Sequence, residues 1–217
     1  MPRQNRVTPF SEIIATPERG TLMGNRGVLH DRHGTIRRNW KGTRWIICLL
    51  DFKKRKQELM KPGCYTQLFF LDEATALAAG HRPCAECRRP RFLAFCAAWQ
   101  KAHPGDDEGA KLTATVIDTR LHAERLIPDR SRRSFVAALA DLPDGVFVTL
   151  AGSGQQAYLV WGDHLLSWSP GGYTQRRQRS LDQEVTVLTP EATVGTIRAG
   201  YAPAVHPSAV GLAEGRA

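Results

Sequence analysis

The run Leu68–Arg89, LFFLDEATALAAGHRPCAECRR, changes character several times along its length, and its reading organises the chain. Its first residues close an apolar segment, Tyr65–Leu71, that reads as a buried strand. Asp72 then offers an oxygen acceptor to the orphan N–H groups of a helix start, and Glu73 suits the positive end of the helix dipole. Alanines fill the helix and Gly80 ends it. His81–Cys87 is a tight connector. Pro90, favoured as a first helical residue, opens a second helix that runs to Ala102. The apolar positions Phe92, Leu93, Phe95, Cys96 and Trp99 recur there at helical spacing.

Upstream, Thr43–Leu50 (TRWIICLL) is another continuous apolar segment and reads as a buried strand. Phe52–Met60, with Lys53-Lys54-Arg55-Lys56, is its exposed continuation or a helical turn, and Pro62-Gly63 is a turn. Residues 1–40 are rich in Gly, Pro, Arg and Asn and suggest loops and short strands. Within them Gly24-Asn25-Arg26-Gly27 is a turn of a kind able to hold an anion. Downstream, His103–Gly109 (HPGDDEG) is a break, and Thr113–Ile127 reads as a helix closed by Pro128. Short strands follow at Phe147–Leu150, Ala157–Trp161, Leu165–Trp168 and Glu184–Leu188. Thr189 reads as an N-cap with Pro190 as first helical residue, and that helix ends before Gly200. The expected class is α+β: a knuckle-bearing α/β half over 1–103, then a small, mostly antiparallel β unit over 110–205 with flanking helices. The two are also compatible with one continuous domain. Residues 206–217 read as a flexible tail.

A chain of 217 residues is long enough to bury a core without staples. Its longest apolar run, Phe92–Trp99, falls far short of the ~20 residues that cross a bilayer, so no membrane partner is expected. Met1–Arg6 leads into no apolar stretch, which points to a cytoplasmic location and to reduced thiols. Charge is uneven: residues 1–103 hold 19 basic and 8 acidic residues, net +11, whereas 104–217 hold 11 and 13, net −2. Arginine outnumbers lysine 23 to 7, and its planar fork matches phosphate better. A nucleic-acid partner follows, as does the plainer reading of a solvated arginine-rich surface. The residues expected to meet phosphate are Lys53, Lys54, Arg55 and Lys56, with Arg82, Arg88, Arg89 and Arg91 around the connector. A second basic cluster, Arg176-Arg177-Gln178-Arg179, reads as a phosphate contact or as solvated surface, and the nearby aromatics Trp40, Trp45, Phe52, Tyr65, Trp168 and Tyr173 would allow base stacking, or belong to the core.

Chemistry concentrates in Cys84-Ala-Glu-Cys87. Two thiols at this spacing turn back onto one point, and a following helix N-terminus and arginines favour their thiolate forms. Thiolates suit zinc. The stretch around them resembles the end of the metal-binding domain of the bacterial Ada alkylation-repair family, where a similar run ending in R-P-C-x-x-C supplies two of four zinc thiolates. The likeness covers about a tenth of the chain. It implies zinc, Cys84 and Cys87 as ligands, and a DNA-repair setting. That family has two further cysteines close together upstream, one of them a methyl acceptor; here single cysteines stand at 48 and 64 instead.

The completing ligands are open among Cys64, Cys48, His81 and His122. Cys48, on an apolar strand, also reads as a small buried hydrophobe. A rival constellation joins Cys84 and Cys87 to His122-Ala-Glu124. This is the residue set of zinc nucleobase deaminases in reversed order, with Glu124 as acid/base catalyst. Its plainer reading is a polar helix face with Glu124 paired to Arg120. A third reading leaves the thiols structural or redox-active.

Overall fold

The structure, a computed structural model, describes residues 1–53, 58–106, 112–126 and 133–215. Among these residues, two six-stranded sheets and five α-helices make up an α+β fold. The first sheet contains β1 (Gln4–Val7), β2 (Ile13–Ala15), β3 (Leu22–Asn25), β4 (Ile46–Cys48), β5 (Leu68–Phe70) and β6 (Arg82–Pro83). Its order is β2-β1-β5-β3-β4-β6. β1 runs parallel to β5 and β4 parallel to β6, while the remaining neighbours are antiparallel. Gly24 lets β3 sit tightly between its neighbours, since a Cβ there would come within 2.3 Å of the Ile46 carbonyl oxygen.

Between β5 and β6 lies α1 (Glu73–Ala78), capped as its sequence suggests: the Asp72 carboxylate accepts from Thr75 N–H at 2.8 Å. All six of its residues are buried. Ala76 and Leu77 pack into the first core with Leu29, Ile47, Phe70, Phe95 and Trp99, beneath α2 (Arg89–Ala102) and α3 (Ala114–Arg125). Ala74 and Ala78 pack into another core with Phe147, Leu159, Leu166 and Tyr173 of the second sheet. Small side chains on both faces let one short helix serve two sheets.

The second sheet comprises β7 (Phe135–Ala138), β8 (Phe147–Thr149), β9 (Tyr158–Trp161), β10 (His164–Ser169), β11 (Gly172–Gln178) and β12 (Glu184–Val187). It is antiparallel throughout, in the order β11-β10-β9-β8-β12-β7. β7 and β11 are absent from the sequence reading. The outer part of β11 is polar and exposed because it is an edge strand. Two arginines of the basic run Arg176–Arg179 are engaged by backbone carbonyls, while Arg177 between them stays exposed. Arg176 binds the Leu212 and Ala213 carbonyls, and Arg179 binds those of Leu139 and Leu142.

α4 (Glu191–Arg198) starts one residue later than expected. Pro190 takes the cap position, and the Thr189 hydroxyl accepts from Phe147 N–H instead. The expected tail at 206–217 is corrected over most of its length. Pro207–Ala213 is a helix, α5, capped by the His206 side chain. Ala209 is buried, and Ser208 Oγ accepts from Tyr173 N–H at 2.8 Å, so the segment docks on β10–β11.

Two adjacent carboxylates tie the halves together. Asp72 accepts from Tyr173 O–H at 2.8 Å and His206 N–H at 2.9 Å. Glu73, fully buried, pairs with Arg88 and Arg91 and accepts from Tyr201 O–H and Ala204 N–H.

Candidate metal centre

The parallel pairing of β4 with β6 places Ile47 beside Pro83, and Cys84 N–H donates to the Ile47 carbonyl at 2.9 Å. Cys48, the last residue of β4, therefore lies next to Cys84. A tight turn closed by Arg88 N–H on the Cys84 carbonyl brings Cys87 back to them. The sulfurs of Cys48, Cys84 and Cys87 all lie within 4.8 Å of one another, and none is in a disulfide. A tetrahedral zinc–thiolate site with bonds of ~2.3 Å has sulfur–sulfur edges of roughly 3.8 Å, so this set fits a metal ion with little adjustment.

The local electrostatics fit as well. Cys84 is pulled down to about 5 by the hydrogen bond from the Cys48 thiol, helped against burial by the N–H groups of Cys87 and Glu86. Glu86 N–H lies 3.4 Å from Cys84 Sγ. Cys48 is pushed up because it donates that bond and is buried, and Cys87 is pushed up chiefly by burial. The cluster thus holds one ready thiolate and two protons that an incoming cation would displace.

The cluster floors a cleft of about 430 Å³, lined also by Phe52, Tyr65, Phe69, Arg44 and Glu86. Across a wall of Leu50, Leu59 and Phe69 lies a groove of about 650 Å³ carrying Arg3, Arg6 and Arg19. Arg6 rests on the Phe69 ring, 5.0 Å from its centroid.

Of the other candidate ligands, none joins the cluster. Cys64 closes a turn, its N–H on the Lys61 carbonyl. His81 is fully buried between Trp45 and Phe70. Its Nε2 accepts from Arg26 Nε at 3.1 Å, and its Nδ1 lies 3.2 Å from the Ala76 carbonyl. His122 stays on α3, apart from the thiols. Glu124 is engaged structurally: one carboxylate oxygen accepts from Arg120 and the other from Ala192 N–H at 2.8 Å, at the start of α4. The deaminase-like constellation is therefore not assembled.

The arginines of the connector are corrected too. Arg82 is buried against Asp118, at 2.7 Å, and Arg88 against Glu73 at 2.9 Å. Arg91 pairs with Glu73 as well. They neutralise buried carboxylates, which leaves Arg89 and Lys53 exposed, the latter 3.8 Å from Glu86. Lys54, Arg55 and Lys56 lie outside the described residues. Cleft residues that the sequence reading passed over are Arg44, Phe69 and Glu86. No signal in a single sequence marks them, because they meet only through strand pairing. No family model, curated protein or solved structure matches this chain. Among the described residues, no helix is long and apolar enough to cross a membrane.

Proposed function

We propose that the chain binds one zinc ion through Cys48, Cys84 and Cys87 and engages nucleic acid along the cleft above them. The observation that carries this reading is the convergence of three free thiols at the floor of a cleft that adjoins an arginine-lined groove. Thiolates are soft donors suited to zinc. Bound there, zinc would cross-link β4 to the knuckle and offer a fourth, Lewis-acidic position. Phe52, Tyr65 and Phe69 supply ring surface for base stacking, and Arg3, Arg6, Arg19 and Arg44 supply phosphate partners.

The test combines elemental analysis with binding of labelled single-stranded DNA and RNA across a salt series. One zinc per chain is expected, with affinity falling steeply as salt rises. Replacing the exposed groove arginine Arg19, as Arg19→Ala, should reduce the logarithmic salt slope by about 0.7. Absence of zinc rejects the whole reading; zinc-loaded protein that ignores nucleic acid at low salt rejects its second part.

Three protein ligands beside a cleft of this size also match catalytic zinc sites. In that second reading Glu86, on the knuckle and in the cleft lining, moves the proton in place of Glu124. Glu86→Gln would then keep zinc and lose hydrolysis of a nucleobase substrate. A zinc-loaded wild type that turns over no member of a nucleobase and nucleoside panel sinks it.

A further inference from the structure

A second site is built around Trp45, on residues that the thiol cleft does not use. The guanidinium carbons of Arg26 and Arg125 lie 4.2 and 4.4 Å from the Trp45 ring centroid. Both arginines are buried, at 0% and 4% exposure. Arg26 spends its Nε on His81 and one terminal nitrogen on the Ser11 carbonyl. Arg125 donates from Nε to the Gly80 carbonyl and from Nη1 to the Thr43 carbonyl, both at 2.7 Å. Its Nη2 is buried with no hydrogen-bond partner, and Arg125 forms no ion pair among the described residues.

The placement of Arg125 is built into the chain. Gly80 sits at φ +86°, and a Cβ there would come within 2.9 Å of Arg125 Cγ, so glycine both ends α1 and leaves room for this side chain. Burial, and the charge of Arg82, pull Arg125 down to about 9 against the opposing pull of Asp118 and Glu124, so it is still protonated at neutral pH. His81, fully buried and bonded to Arg26, is held neutral by burial and by the charges of Arg26 and Arg125. A buried cation with an unmet donor is costly unless an anion offsets it. Asp118 acts on Arg125 through space alone, whereas it holds Arg82 in an ion pair at 2.7 Å.

Both arginines line a cavity of about 120 Å³, together with the exposed Arg133, Ser11 and Asn39. Two carboxylates also border it. Glu124 is already committed to Arg120 and Ala192, and Glu12 is exposed to solvent. The volume lies well below the roughly 300–1,000 Å³ of sites that swallow a drug-sized ligand, so an anionic head group of a few atoms is what it accommodates. Arginine clusters suit tetrahedral oxyanions.

We infer that the cavity beside Trp45 is a binding site for a phosphate group, held by Arg26, Arg125 and Arg133. The inference does not depend on the thiol centre. The phosphate is free or carried as a monoester; the chemistry of recognition is shared.

The test is calorimetric titration of the full chain with inorganic phosphate, with glycerol 3-phosphate and with acetate, in chloride buffer, alongside tryptophan fluorescence. Saturable binding of one phosphate per chain at millimolar concentration is expected, with a fluorescence change because Trp45 carries both guanidiniums. Arg125→Gln should weaken it by about tenfold or more. Arg133 is exposed, so Arg133→Ala leaves the fold intact and should weaken binding by about threefold or more. Tighter binding of glycerol 3-phosphate identifies a carried phosphate, and tighter binding of the inorganic ion a free one. Absence of saturable binding by either phosphate overturns the inference, as do acetate binding equally well and an unchanged affinity in folded Arg133→Ala.

Discussion

The first sheet mixes parallel and antiparallel neighbours, and none of its strands exceeds four residues; the second is antiparallel throughout and reaches seven residues in β11. The thiol cluster and the Trp45 cavity are built on the first sheet and the loops around it. The second sheet spends its side chains on packing against α1, α4 and α5. The difference teaches how a site is assembled. Short strands end often, and each end releases a loop. Parallel pairing of β4 and β6 then brings distant ends to the same edge, which puts Cys48 beside Cys84. A regular antiparallel meander alternates its side chains and repeats one environment, which suits a clamp better than a reactive centre.

Changes to the thiols strike the first sheet hardest. Cys48→Ser, Cys84→Ser or Cys87→Ser should each lower zinc affinity by more than about 100-fold, beyond the loss typical of residues that merely support a ligand. Chelator competition reads this, with Cys64→Ser and Cys96→Ser as controls that hold wild-type affinity. Equal losses in the controls would dissolve the distinction between cluster and bystanders.

The next effect tests how far the two sheets depend on one another. Glu73→Ala strands Arg88 and Arg91 and removes the acceptor for Tyr201, so a loss of about 3–5 kcal/mol in urea unfolding is expected. Asp118→Ala strands Arg82 beside the first core and should cost a similar amount. If the junction holds the two sheets as one unit, Glu73→Ala keeps a single unfolding transition; two separated transitions would show two independent units.

The same junction has a pH signature. Burial pushes Glu73 up, but Arg88, Arg91 and its N–H and O–H donors outweigh that and hold it below the usual carboxylate range. Its folded value is lowered, so its stabilisation is present above the ordinary range and is lost as pH falls through the folded value. Asp72 runs the other way. Burial raises its folded value despite bonds from Thr75, His206 and Tyr173, so its contribution weakens as pH climbs from the ordinary range toward that value. Urea midpoints across about pH 2–5 should rise with pH in the wild type and flatten in Glu73→Gln. Loss of the Asp72 cap in Asp72→Ala should cost about 1–3 kcal/mol.

The smallest expected effect concerns Glu124. Glu124→Gln should leave zinc affinity unchanged and cost less than about 1 kcal/mol, since its carboxylate bonds go to Arg120 and the start of α4, away from the thiols. A loss of bound metal would put α3 into the centre after all.

What was legible in the sequence was local. The Asp72 cap, the body of α1, Gly80 and the knuckle turn each depend on partners a few residues away. So did most strands of the second sheet, whose turns are marked by glycine, serine and proline. Cys48 stood in the sequence as one of four candidate completing ligands and no more, because its place beside Cys84 depends on strand register, which no short window contains. Arg82 and Arg88 looked like surface charge because their carboxylates, Asp118 and Glu73, approach only through folding. The helix at Pro207–Ala213 was missed for a related reason. Seven residues are too few to be helical alone, and docking on β10–β11 stabilises them.

The double burial of α1 sets a timetable for the nascent chain. Its first face meets partners that are almost all made early, but Leu71, Ala74 and Ala78 wait for Phe147, Leu166 and Ala209. Roughly 130 residues separate Gly80 from the end of α5, which at about 5–20 residues per second is roughly 7–27 s of synthesis. Through that interval an apolar face stays wet, and Asp72 and Glu73 lack the tyrosines that later bind them.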